Sequence, residues 1–101
     1  MNLQIAVRVP PCRPLPELME FVADVERLGF HRVSFPDSQL LWRDVWTVMT
    51  AAATATSSVG LAVSVTNPVT RHPSVTASAA RSLSNWLLAA WNWRLARATA
   101  Q

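Results

Sequence analysis

Leu3, Ile5, Val7 and Val9 alternate with polar or small residues, the period of a half-buried strand. Pro10 and Pro11 end that run, because proline has no N–H for a ladder. The period then changes. Leu18, Val22, Val25 and Leu28 recur at steps of four, three and three, an amphipathic helix stripe. Pro16 suits its first turn, Glu17 and Glu20 favour its positive end, and Gly29 suits the position just past its last residue. Residues 31–35 (HRVSF) read as a second strand stopped by Pro36. Asp44 is placed to cap a helix running to about Ala55, with Val45, Val48, Met49 and Ala52 on one side. Residues 59–66 (VGLAVSVT) form a third strand with little polar alternation, as expected where both faces are covered. Pro73 opens a third helix expected to run through Ala80.

The order β-α-β-α-β-α predicts a parallel α/β sheet with crossover helices. A doubly wound open sheet and a (β/α)8 barrel share this pattern. The first strand-to-helix turn is VPPCRPLPE and has no glycine, which argues against a dinucleotide fold needing G-x-G-x-x-G there. No P-loop, zinc spacing, G-x-S-x-G or H-E-x-x-H occurs.

Composition narrows the picture further. Half the residues are apolar and 15% are charged, a globular balance. The net charge is +3 and every basic residue is Arg, but the nine Arg are scattered from 8 to 97 and make no stripe. Nucleic acid is therefore not the expected partner. Cys12 is the only cysteine, the N-terminus lacks a secretory pattern, and no apolar run reaches membrane-spanning length. A cytoplasmic protein without a transmembrane segment is expected.

In parallel α/β folds, chemistry gathers outside the carboxyl ends of the strands. Three segments qualify: PPCRP, PDSQLLWRD and TNPVTRHP. Asp37, immediately past strand two, either lines a central pocket or caps a turn after Pro36. Trp42 and Arg43 could meet a flat anionic ligand. Trp42 and Trp46 are one helical turn apart, however, which favours packing. Arg71 and His72 precede a helix start, a place suited to an anion, or are solvated loop residues. Cys12 has no His near it in sequence to activate it.

The runs RVPPCRPLPEL, LGFHRVSFPDSQLLWRDVW and VTNPVTRHPSVTASAA, in this order and spacing, resemble the luciferase-like flavin- and deazaflavin-dependent oxidoreductases. The branch they resemble in particular is that of coenzyme F420-dependent methylenetetrahydromethanopterin reductase. The likeness covers residues 1–83. It implies a TIM barrel that binds F420 or FMN at the carboxyl end of its strands. It also implies a small organic substrate, with hydride transfer in the F420 branch or monooxygenase chemistry in the FMN branch. Asp37 matches the pocket carboxylate; Ser38 follows it where many relatives carry His. Strand three of the deazaflavin branch carries a non-prolyl cis peptide behind the coenzyme ring. The matching bond is Ser64–Val65, with Thr66 and Asn67 beside the coenzyme.

Residues 1–83 supply three βα units of eight. Where the family continues into a glycine-rich fourth strand, residues 84–101 read SNWLLAAWNWRLARATAQ. Trp91-Asn92-Trp93 must be encoded TGG AAY TGG, which reads Glu-Leu in a neighbouring frame, and suitable synonymous codons recover the family segment throughout. The expectation is a truncated barrel domain over 1–83 and an out-of-frame, helical or disordered tail over 84–101. The chain would then be inactive alone, with association with the missing barrel remainder as its route to activity. The alternative is a small partner- or membrane-surface-binding protein that uses Trp86, Ala90, Trp93 and Arg97 on one helical face.

Overall fold

The computed structural model describes residues 3–91 and the side chains of residues 3–87. The elements are β1 (Ala6–Arg8), α1 (Leu15–Arg27), β2 (Arg32–Phe35), α2 (Val45–Ala55), β3 (Gly60–Val63) and α3 (Pro73–Trp91). The strands are parallel in the order β1-β2-β3, with Val7 opposite Val33 and Val33 opposite Leu61. Strand alternation sends Val7, Val9, Val33, Phe35, Leu61 and Val63 to one face, where the helices cover them. The opposite face carries Ala6, Arg8, Arg32, Ser34 and Ala62.

All three helices share one core. Leu18, Val22 and Val25 of α1, Val45, Val48 and Met49 of α2, and Leu83 and Leu87 of α3 join the same cluster. In a doubly wound sheet the helix after the third strand crosses to the other face. Here α3 packs beside α2, so the winding continues in one direction, as a barrel wall requires.

The local signals of the sequence act as physical chemistry demands. Gly29 has φ of 91°, its N–H donates to Glu26 O at 3.1 Å, and the Phe30 N–H donates to Val25 O at 3.3 Å. This is a Schellman ending for α1. Asp44 caps α2 by accepting from the Thr47 N–H at 2.9 Å.

Four expectations change. Leu28 is 70% exposed, because it is the C-cap and two successive three-residue steps rotate it off the stripe. Leu3 and Ile5 are exposed, since β1 begins only at Ala6. β3 is covered by helices on one face only among the described residues, and it spans 60–63 within the expected 59–66. Helix α3 also runs past Ala80 and across the 83/84 boundary, because residues 74–91 contain neither Gly nor Pro. Residues 92–101, most of the expected tail, lie outside the described residues. No described helix is long and apolar enough to cross a membrane.

One anchor was not visible in the sequence. Glu26 Oε2 accepts from the backbone N–H groups of Ser57, Ser58 and Val59 at 2.9, 2.6 and 2.9 Å, and from the Ser58 hydroxyl at 3.2 Å. It ties the end of α1 to the entry of β3. Partial burial pushes the Glu26 carboxyl up, but these donors outweigh it and hold it below the ordinary carboxylate range. Its stabilising contribution is therefore complete above the ordinary glutamate pKa and is lost as pH falls through the lower native one. Urea unfolding at neutral pH should show Glu26→Gln less stable by about 1–2 kcal/mol, since the loop is partly solvated. The gap between variant and parent should close toward acid pH.

Candidate functional site

The loops leaving β1, β2 and β3 converge at the carboxyl ends of the strands and are held together by named bonds. Pro11 O accepts the Arg43 backbone N–H at 3.2 Å and the Arg43 guanidinium at 3.4 Å, tying the first loop to the second. The Phe35 carbonyl accepts from the Ser64 N–H at 2.8 Å, and the Asp37 N–H donates to Val65 O at 3.3 Å, extending the β2–β3 pairing into the loops. The Ser64–Val65 peptide bond is cis, at the position the resemblance implied.

Asp37 is buried, with its side chain 2% exposed. Its Oδ2 accepts from Thr66 Oγ1 at 2.6 Å and also from Arg71 Nη1. Arg71 Nη2 reaches Asp44 Oδ1 at 2.7 Å, while Asp44 Oδ2 still caps α2. One guanidinium thus joins the carboxylate after β2, the N-cap of α2 and the loop after β3. Hydrogen bonding to Asp37 raises the Arg71 pKa further above its already high value, and Asp44 adds to this. Burial pushes Asp44 up, but the Thr47 N–H and Arg71 outweigh it and hold it below the ordinary range.

The structure shows what holds Asp37, expected as a turn cap or a pocket carboxylate. Its Oδ2 is held by Thr66 and Arg71. Arg71, expected as a candidate anion binder, is paired with two carboxylates. Asn67 Oδ1 accepts from the N–H groups of Val69 and Thr70 at 2.9 and 3.0 Å, shaping the loop after β3. His72 caps α3: its carbonyl accepts from Val75 N at 2.9 Å and its Nδ1 from Ser74 N at 3.2 Å. Arg43 is bonded to Pro11, and Trp42 is half-buried in a turn whose Ser38 carbonyl accepts from the N–H groups of Leu41 and Trp42 at 2.9 and 2.8 Å. Trp46 packs on the core, as its spacing suggested, and lines a groove of about 300 Å³ between α2 and α3 with Ala79, Leu83 and Trp86. Cys12 is exposed and unpaired. Among the described residues no His, Cys, Asp and Glu cluster could hold a metal.

The bridge from Arg71 to Asp37 and Asp44 escaped the sequence reading, because no local period relates positions 37, 44 and 71. The one available signal was an acidic residue just past a strand and an arginine just before a helix in neighbouring βα loops.

Comparison with known proteins agrees with this fold. The luciferase-like monooxygenase family matches residues 3–87. The 5,10-methylenetetrahydromethanopterin reductase of Methanolobus tindarius is 32% identical over 82 residues, 81% of this chain and 25% of that protein. The solved structure of the coenzyme F420 dependent tetrahydromethanopterin reductase from Methanopyrus kandleri superposes with a TM-score of 0.80 at 26% identity. That match covers 90% of this chain and 26% of the other. The chain spans about a quarter of the length of these relatives.

The bridge has a measurable energy. Arg71→Ala leaves Asp37 buried without its cation and should destabilise the chain by about 3 kcal/mol in urea unfolding. Adding Asp37→Asn should recover about 1 kcal/mol or more of that loss, the coupling expected of a buried pair. Additive effects of the two substitutions would contradict the assigned contact.

Proposed function

The chain belongs to the luciferase-like monooxygenase family, and from that membership we propose that it supplies the first three βα units of an F420-using oxidoreductase barrel. The observation that carries this reading is the knitted rim at the carboxyl ends of β1, β2 and β3, where parallel α/β folds bind their ligands. The likeness to an F420 dependent reductase structure supports F420 over FMN. When bound, coenzyme F420 supplies a ring carbon that gives or takes a hydride, here with a small organic substrate. Ser64, Val65, Thr66 and Asn67 would line the ring. Asp37, held by Arg71, fixes the Thr66 hydroxyl, and so acts as a positioning residue for this segment. A cytoplasmic location suits the unpaired Cys12.

The residues fit the ring better than its anionic tail. Arg71 is paired with two carboxylates and Arg43 is bonded to Pro11, so neither guanidinium is at hand for phosphate or carboxylate groups. Such groups would be held by strands beyond these three.

A barrel of this kind needs about 250 residues. In the described part, β1 and β3 keep unpaired edges and the sheet face bearing Arg8 and Ala62 has no opposite wall. The partner proposed for it is therefore the remaining βα units of a barrel. The test is to co-express the chain with the remaining βα units of the Methanolobus tindarius reductase. The expected outcome is a one-to-one complex that binds coenzyme F420 saturably, with neither part binding it alone. Saturable binding by the isolated chain, or no association, would sink the proposal.

A further inference from the structure

The sheet face turned away from the helices is formed by Ala6 and Arg8 of β1, Arg32 and Ser34 of β2, and Gly60 and Ala62 of β3. Its long side chains are both arginines, and the rest are Ala, Gly and Ser. Ser34 stands opposite Arg8 and Ala6 opposite Arg32, so the two arginines are diagonal neighbours on adjacent strands. Arg8 is exposed, and its guanidinium makes no hydrogen bond or ion pair among the described residues.

A counter-charge for Arg8 is not found in this chain. The chain has six acidic residues, and all are placed. Glu17, Glu20, Asp24 and Glu26 belong to α1 on the other side of the sheet, where Asp24 pairs with Arg27 and Glu26 holds the turn before β3. Asp37 and Asp44 are bridged by Arg71 at the rim. In water Arg8 needs no partner. Inside a barrel it does, because that interior is a packed core of layered side chains, commonly Val, Ile and Leu. Burying a guanidinium there without a carboxylate is costly. The small neighbours Ala6, Ser34 and Ala62 leave room beside Arg8 for a second long side chain from an opposite wall. A second copy of this chain would bring two more arginines and no acid to the face, so it is not the cover.

We propose that the open sheet face is an interaction surface for a carboxylate-bearing protein wall. The remaining βα units of the barrel present an Asp or Glu that pairs with Arg8 in the interior, in place of the apolar contact usual there. This rests on the barrel reading and names the contact that joins the two parts. The height of Arg8 on the wall favours a protein side chain over a ligand. Its register partner Ser34 is three residues before Asp37, and Ala62, next across the sheet, is two before Ser64 of the cis bond. Arg8 therefore lies below the loops where chemistry gathers, at the level that barrel side chains fill.

The test pairs the chain with the remaining βα units of the Methanolobus tindarius reductase and compares the parent with Arg8→Leu and Arg8→Lys. Leucine is a residue such an interior ordinarily holds, so a carboxylate wall and an apolar wall predict opposite signs. With a carboxylate opposite, Arg8→Leu weakens association about a hundredfold, because a buried charge loses its partner. Arg8→Lys keeps the charge and retains most of the affinity. In a chain labelled at its arginine side chains, the Arg8 signal should shift and its hydrogen exchange should slow on pairing. Urea unfolding of the isolated chain should be the same for parent and Arg8→Leu, so that lost association is not lost folding. A less stable isolated variant would show Arg8 held within its own chain and would overturn the proposal. Equal or tighter association of Arg8→Leu also overturns it and leaves the barrel reading standing. So does an Arg8 signal in the complex that answers to inorganic phosphate, which would make the face an anion site. If the parent itself does not associate, the barrel reading fails and the contact with it.

Discussion

A single guanidinium organises the rim of this fold. Arg71 lies just before α3, yet its two outer nitrogens reach a carboxylate past β2 and the N-cap of α2. The Asp37 side chain is buried, and burying a carboxylate is costly unless it is paired and hydrogen-bonded. Arg71 supplies the counter-charge, and Thr66 supplies a second donor to the same oxygen. The position of the loop after β3 therefore follows from the burial of an aspartate one strand earlier. The cis Ser64–Val65 bond and the exposed Val65 side chain lie in the segment so held.

The opposite end of the sheet is tied by the same physics with the signs reversed. There Glu26, at the end of α1, gathers three backbone N–H groups ahead of β3. The Glu26 carboxylate satisfies backbone donors that a short turn cannot satisfy internally. The hydrophobic core between these two tethers is one-sided, built from the helix-facing residues of the strands and the stripes of three helices. The other sheet face carries small and polar residues with Arg8, a composition suited to facing further protein or a ligand rather than a packed helix layer.

This division accounts for what could be read in advance. The first helical turn at Pro16, the cap at Asp44, the stop at Gly29 and the β-α order were legible because each depends on neighbours within a few residues. Caps, turns and amphipathic stripes are local. The family likeness was legible for a related reason: its loops are contiguous stretches with fixed spacing. It implied Asp37 and the 64–67 segment as site residues. It did not place the bonds between them. Arg71 was read as a candidate anion binder because only its position before a helix was visible.

The sequence alone determined the alternation of strands and helices, the buried stripe of each helix and the loops that carry polar chemistry. Tertiary structure decided which charges meet. Pairing β2 with β3 brought residues 37 and 71 together, turned a candidate anion-binding arginine into a bridge, and left leucines and valines at the rim instead. Leu28 and Leu40 are as apolar as Leu18. Only the packing of one element on another decides which of them leaves water, because the hydrophobic effect rewards burial wherever the fold provides it and carries no address of its own.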